Sequence, residues 1–268
     1  MSDLLFSVNN EGVATIKLNR PDRLNAFSLE MINQWIEALE EVRDSEEIRA
    51  LVLTGEGRAF CAGGDVKSMV EGDGFLYQKE DEHIDFMSTG MKRKKVLWKY
   101  VQRIPLIMSE IDKPVIAAIN GPAIGAGLDM ALMCDIRFAS RTAKMGETYI
   151  KAGIVPGDGA AYFLPRIVGI DKALELLWTG KILTAEEAKE YGMVTYIAEP
   201  EELLDKVYDF ASTLAKQPSA TVQFMKRTVY QGLNNDLRTS LDMISSAMGL
   251  VTELPEYRER LETILKKD

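Results

Sequence analysis

The sequence predicts an α/β core followed by a helical region. Three observations carry that reading. Strand, Gly-rich turn and helix recur twice before about residue 140, the chain turns mostly helical after Ile167, and 46% of its 268 residues are hydrophobic against 27% charged. That balance suits a folded domain, because enough apolar surface is present to outweigh the entropy of ordering the chain.

Phe6 to Asn10 and Val13 to Leu18 read as two strands around Asn10-Glu11-Gly12, with VATIKL alternating at period two. A helix is expected from Ser28 as N-cap, with Met31, Trp35, Leu39 and Val42 at helical spacing. Arg49 to Thr54 and Pro114 to Ile119 read as buried strands, each followed by a glycine turn. Helical segments are expected near Phe75–His83 and Val96–Ile104, then from Gly125 to Met133, with a further strand at Asp135–Ala139. Helices are expected over Asp171–Thr179, Thr184–Tyr191, Pro200–Lys216, Ser219–Tyr230 and Asp236–Leu250. Gln217-Pro218-Ser219 and Glu253-Leu254-Pro255 read as loop punctuation.

Charge and composition exclude several functions. The net charge of −9 makes general binding to nucleic acid or anionic membrane unfavourable. With two cysteines, Cys61 and Cys134, and one histidine, His83, neither a disulfide scaffold nor a His/Cys zinc site is expected. No apolar run approaches the roughly 20 residues that span a bilayer. The start, MSDLLFSVNNEG, lacks a secretory pattern, so the expected location is cytoplasmic.

Two Gly-rich segments carry the chemistry. Ala59-Phe60-Cys61-Ala62-Gly63-Gly64-Asp65-Val66 and Gly121-Pro122-Ala123-Ile124-Gly125-Ala126-Gly127-Leu128-Asp129 each follow a strand and open a helix. Such turns leave backbone N–H groups unpaired and aimed at one spot. Two donors converging from separate turns are what an oxyanion hole requires. Neither segment has Gly-Lys-Ser/Thr, and Met130 breaks the Rossmann spacing. Asp129 begins the helix behind one turn, as a candidate acid or base or as a first-turn acid favoured by the helix dipole.

Phe60 to Met69, Asn120 to Ala131 and Gly153-Ile154-Val155-Pro156-Gly157-Asp158-Gly159 resemble the signature segments of the crotonase (enoyl-CoA hydratase/isomerase) superfamily. Leu18 to Phe27 and Leu183 to Ala188 fit as well, whereas Leu254-Pro255-Glu256-Tyr257-Arg258 departs from that family's usual ending. The resemblance implies a spiral of ββα turns with an all-helical C-terminal region. Residues 1–197 would form the CoA-thioester-binding catalytic core, and 198–268 a helical oligomerisation region building a homotrimer or homohexamer. It implies an acyl-CoA thioester substrate, with coenzyme A part of the substrate and no separate cofactor or metal. By position, the oxyanion hole falls on the N–H groups of Gly64 and Ala126. Arg23, Leu24, Ala26, Ala62, Gly64, Asp65, Val66 and Lys67 would lie along the substrate.

The departures concern the acids. Enoyl-CoA hydratases of this family usually place carboxylates where this chain has Asp129 and Tyr149. Tyr149 keeps a proton donor but, with a reference pKa near about 10, is a poor base. Glu147 would share Tyr149's face on an extended segment, its competing reading being a solvated surface acid. Asp158 sits in Pro-Gly-Asp-Gly, one residue after a position where relatives with isomerase or dehalogenase chemistry carry an Asp; its competing reading is a turn former. Cys61 is expected to pack, His83 to be exposed, and Met91-Lys92-Arg93-Lys94-Lys95 to form a solvated helix face or to dock the CoA phosphates. The function expected is hydration or double-bond shift on an enoyl-CoA through a stabilised enolate. The alternatives are other enolate chemistry on an acyl-CoA (decarboxylase, ring hydrolase, dehalogenase) or a non-catalytic CoA-thioester or RNA-binding member.

Overall fold

The computed structural model describes residues 2–71 and 88–266; the helix expected near Phe75–His83, and His83 itself, lie outside them. The first strand, β1 (Leu4–Val8), pairs antiparallel with β2 (Val13–Leu18), Leu4 opposite Leu18. β1 ends earlier than its apolar pattern suggests, because the Asn9 side chain accepts from the Glu11 and Val13 N–H groups and turns the chain.

From β2 the sheet continues in parallel through β3 (Ala50–Gly55), β4 (Val115–Ile119), β6 (Ile136–Ser140) and β9 (Tyr196–Ala198). A second sheet holds β5 (Ala123–Ile124), β7 (Lys144–Gly146) and β8 (Ile182–Thr184). Each of three successive turns gives one segment to each sheet and then a helix. β3 is followed by Cys61, bridged to Ala123, and by α2 (Val66–Val70). β4 is followed by β5 and α5 (Ala126–Leu132), and β6 by β7 and α6 (Ala160–Val168). This is the ββα spiral that the family resemblance implies.

α1 (Leu29–Asp44) starts at Ser28, whose hydroxyl accepts from the Met31 N–H at 3.0 Å, and it buries Met31, Ile32, Trp35, Leu39 and Val42. Between β3 and β4 lie α3 (Thr89–Lys99) and α4 (Arg103–Glu110) rather than one helix over Val96–Ile104. Pro105 explains the break: its ring would clash with the carbonyl of Val101 in a continuous helix, so the helix restarts within one turn of it. α6 and α12 (Pro255–Leu265) are elements that the sequence patterns do not single out. α6 carries Pro165 inside it, which hides its period, and in α12 the Pro255 read as a loop opens the helix at its first position.

α7 (Ile170–Thr179) and α8 (Ala185–Glu190) follow, α8 held by a capping box between Thr184 and Glu187. The parallel sheet is buried on both faces. Ala14, Ile16, Leu51, Leu53, Ala117 and Ile119 face the main core, while Val13, Val52, Ile116, Ala118 and Phe138 face α9 (Leu203–Ala215). α10 (Ser219–Gly232), α11 (Leu237–Thr252) and α12 complete the chain beyond the sheet, and among their described residues only Ala247 is buried. No helix of the described residues is long and apolar enough to cross a membrane.

Candidate active site

The two Gly-rich turns meet at the open ends of β3 and β4. Gly63 has φ +78, and a Cβ there would sit 2.7 Å from the Ile124 carbonyl oxygen and 3.0 Å from the Ala126 nitrogen. Gly127 is held as closely, since a Cβ would fall 2.1 Å from the Cys61 carbonyl oxygen. Only glycine allows this approach. It brings the starts of α2 and α5 together, and neither the Gly64 nor the Ala126 N–H has an acceptor among the described residues.

A third segment braces the pair. The Phe27 N–H donates to the Gly63 carbonyl at 2.8 Å and the Ala62 N–H to the Leu24 carbonyl at 2.9 Å. Leu24 and Asn25 adopt φ 51 and 56, and the buried Asn25 amide donates to the Ala59 carbonyl at 2.8 Å while accepting from the Arg20 N–H. Asn can hold this left-handed conformation because its short side chain makes such local bonds. Asn25 lies within the Leu18–Phe27 segment, and an Asn between Leu24 and Ala26 in a non-helical stretch is a turn signal. Arg23 is exposed and Leu24 half-buried beside the donor turn, whereas Ala26 is buried. Asp65 caps α2 through a bond accepted from the Ser68 N–H, Val66 opens that helix, and Lys67 is exposed on it.

The opposite side of the site is acidic. Asp129 lies on α5 one turn after Ala126, and Asp158 lies in the turn before α6. Glu147 and Tyr149 flank the start of a 3-10 turn, Thr148–Ala152, rather than lying on an extended segment. Both still reach the same buried pocket. Asp129 and Glu147 are 0% exposed, Asp158 5% and Tyr149 9%, so the reading of Glu147 as a solvated surface acid does not hold. The Tyr149 hydroxyl stands 2.7 Å from Asp129 Oδ2 and 3.1 Å from Asp158 Oδ2.

Burial penalises charge here, and no cation among the described residues acts on the three carboxyls to offset it. Burial first, and then the Asp158 charge, pushes Asp129 up to about 7, against the lowering effect of the Tyr149 hydroxyl. Asp158 is pushed up to about 6 by burial, again opposed by Tyr149. Glu147 is raised well above the usual carboxyl range by burial and by Asp129. Tyr149 is raised far above its ordinary value by burial and the neighbouring acids, so it keeps its proton. Such a cluster exchanges protons near neutrality.

The walls come from elements the sequence does not mark. Met69 sits against Gly64, where a Cβ would meet its Cε at 2.4 Å. Leu97 lies against Gly157, and Gln102 Nε2 donates to the Gly157 carbonyl at 2.7 Å, pinning the turn that carries Asp158. No local signal in the sequence distinguishes Gln102 from a surface polar residue. Cys61 is buried with its Sγ–H donated to the Asn25 carbonyl, and burial pushes its thiol up to about 12, which leaves it inert packing.

The family model for enoyl-CoA hydratase/isomerase matches residues 8–259. The chain is 34% identical to the 1,2-epoxyphenylacetyl-CoA isomerase of Escherichia coli K12, over 100% of this chain and 97% of that protein. It is 31% identical to the short-chain-enoyl-CoA hydratase of Clostridium acetobutylicum, over 95% and 92%. A crystal structure of enoyl-CoA hydratase from Bacillus anthracis superposes with a TM-score of 0.86 at 30% identity, covering 99% of this chain and 96% of the other. Sequence and fold agree, and the chain belongs to the enoyl-CoA hydratase/isomerase family.

Proposed function

We propose that this enzyme binds an enoyl-CoA thioester and passes through an enolate, giving hydration or a double-bond shift. The observation that carries the proposal is the spacing on α5. Ala126, whose N–H has no acceptor among the described residues, and Asp129, with its raised carboxyl, lie one helical turn apart, so one rigid element fixes a donor and a proton carrier together. The thioester oxygen is held by the Gly64 and Ala126 N–H groups, which stabilise the negative charge as it develops. Asp129 moves the proton, and Asp158 is the second acid. The substrate lies along Arg23, Leu24, Ala26, Ala62 and Asp65 to Lys67, with no cofactor beyond the coenzyme A it carries.

A specific feature favours the double-bond shift within this reading. The Tyr149 hydroxyl bridges Asp129 and Asp158, so those two acids are linked by a phenol where a hydratase needs a water. Incubating the purified protein with a panel of acyl-CoAs, separating the products by chromatography and identifying them by mass and NMR tests the proposal. A positional isomer, or a product heavier by one water, from an enoyl-CoA is expected. Turnover confined to saturated or aryl-halide thioesters would replace it with another enolate chemistry.

The assembly proposed is a homotrimer or homohexamer. Met225 and Val229 on α10, Leu233 just after it, and Leu237, Leu241 and Met248 on α11 are each more than half exposed, an apolar surface unusual for a monomer. Sedimentation is expected to show a trimer or a dimer of trimers at micromolar concentration; a stable monomer would refute the assembly. The two free, buried thiols suit a reducing compartment, and the cytoplasm is the location proposed.

A further inference from the structure

The hydrogen bonding of the acid pocket does not balance without an extra proton. Tyr149 has one hydroxyl proton for two carboxylate neighbours. Asp129 Oδ1, Asp158 Oδ1 and both oxygens of Glu147 are buried without a hydrogen-bond donor among the described residues. Glu147 is 0% exposed, and its carboxyl lies within hydrogen-bonding reach of Asp129. Two ionised carboxylates in that relation repel each other in a buried site. A single proton between them turns the repulsion into a charge-assisted O–H···O bond.

The surroundings decide which carboxyl holds that proton. Asp129 accepts from the Tyr149 hydroxyl and lies near the Ala160 N–H at the start of α6, and both favour its ionised form. Glu147 has no comparable donor. It is faced by Asp129 on α5, Asp158 before α6 and Tyr149 on its own turn. The described basic residues on adjacent elements are exposed or engaged elsewhere: Lys144 and Lys151 are exposed, Lys181 pairs with Glu187, Lys172 lies over the Tyr191 ring and Arg166 over the Tyr162 ring. Asp171 and Glu175 on α7, which packs against the Glu147–Tyr149 turn, are exposed.

We infer that Glu147 is a positioning residue which stays protonated, donates a hydrogen bond to Asp129, and so holds Asp129 as the ionised base facing the Gly64–Ala126 donor pair. The inference rests on the proposed role of Asp129 as the base. It assigns Glu147 a task different from that of a second acid: its proton is kept, not transferred. The amide of a Gln could perform this task, and an apolar side chain could not.

The test joins an infrared measurement on the full-length protein with pH profiles of three forms. At about pH 8, above the ordinary carboxyl range, the protein should show the C=O stretch of a protonated carboxylic acid. The band is expected to vanish in Glu147→Gln and persist in Asp158→Asn. Glu147→Gln should keep kcat within about threefold and leave the acid limb where it lies in wild type, since the amide still donates to Asp129. Glu147→Leu should lower kcat about tenfold or more with KM little changed, and move the acid limb to higher pH as Asp129 loses its donor.

A band that survives Glu147→Gln overturns the inference, as does a Glu147→Leu profile identical to wild type. Loss of activity in Glu147→Gln as deep as in Asp129→Asn also overturns it, because the carboxyl itself would then be reacting. Should Glu147→Leu not fold, the infrared band and the Gln variant still decide. Should no acyl-CoA be turned over, the proposed function fails while the band still reports on Glu147.

Discussion

On one side of the site two backbone N–H groups, those of Gly64 and Ala126, stand at the starts of two helices among Gly, Ala and Cys; on the other, three carboxyls and a phenol are buried together. The donor side is made by the backbone, so its geometry is fixed by where glycine allows two turns to touch, and no ionisation disturbs it. The acid side is made by side chains from three separate segments, and its state depends on how many protons it holds. The difference teaches that the first side tolerates changes of side chain but not of backbone, whereas the second tolerates changes of shape but not of charge. Substitutions that exchange these two sensitivities test the comparison directly.

The largest effect is expected on the acid side. Asp129→Asn is nearly isosteric but cannot act as a base, and general acid–base groups typically contribute about 10²–10⁴-fold. Turnover is expected to fall by about 10³-fold with acyl-CoA affinity within a few-fold, measured by steady-state kinetics and by direct binding. Near wild-type turnover in a folded Asp129→Asn protein would move the base elsewhere in the pocket.

On the donor side, Gly64→Pro removes an N–H and fixes φ, and loss of one such donor typically costs about 2.7–4 kcal/mol of transition-state stabilisation. A fall of roughly 100-fold or more in kcat is expected. Gly64→Ala separates the lost donor from the added bulk. Its Cβ meets only the flexible end of Met69, so it keeps the N–H and is expected to retain most of the activity. Equal losses in Gly64→Pro and Gly64→Ala would make the site steric rather than electrostatic.

The same contrast explains what the sequence could announce. Gly63, Gly64, Gly125 and Gly127 punctuate strand-to-helix turns, so the donor side is visible as a spacing, and Ser28, Thr184 and the apolar runs of β3 and β4 announce their elements equally well. The acids Asp129, Glu147 and Asp158 are visible as residues but not as a group. Their meeting depends on the 3-10 turn at Thr148–Ala152 and on Gln102 reaching the Gly157 carbonyl from more than 50 positions away, and neither leaves a periodic trace. The break at Tyr100, between α3 and α4, is visible only once Pro105 is weighed as a helix stop. α10 and α11 show helical periodicity, but their apolar faces find no cover among the described residues, which periodicity alone cannot say.

A smaller effect distinguishes the two partners of the Tyr149 hydroxyl. Tyr149→Phe removes the hydroxyl that stands between Asp129 and Asp158 but neither of the two carboxyls. Asp158→Asn removes an acid pushed up to about 6, within the range where it can exchange a proton. Asp158→Asn is therefore expected to cost more activity than Tyr149→Phe, which should lose about tenfold, the worth of a buried hydrogen bond of roughly 1–1.5 kcal/mol. If Tyr149→Phe is inactive while Asp129→Asn and Asp158→Asn keep full rate, the roles in the pocket are reversed.

The smallest effect concerns stability rather than rate, and it separates the two sides most cleanly. Asp158 has its folded-state carboxyl raised from an ordinary 3.8 to about 6 by burial, so the folded protein binds that proton more tightly than the unfolded chain does. Its contribution to stability is present in full below about pH 4 and is lost as pH rises through about 6. Asp158→Asn cannot ionise and escapes the loss, although its buried amide N–H groups need acceptors, which offsets part of the gain. The net gain expected above pH 6 is on the order of 1 kcal/mol, or roughly 2–4 °C in Tm for a chain of this size. Thermal unfolding at about pH 8 should therefore show Asp158→Asn above wild type, and the advantage should be absent near about pH 4. Gly64→Ala touches no titrating group, so its shift in Tm, whatever its sign, should be equal at the two pH values. A pH-independent shift for Asp158→Asn, or a pH-dependent one for Gly64→Ala, would mean that the two sides of the site do not divide between charge and backbone.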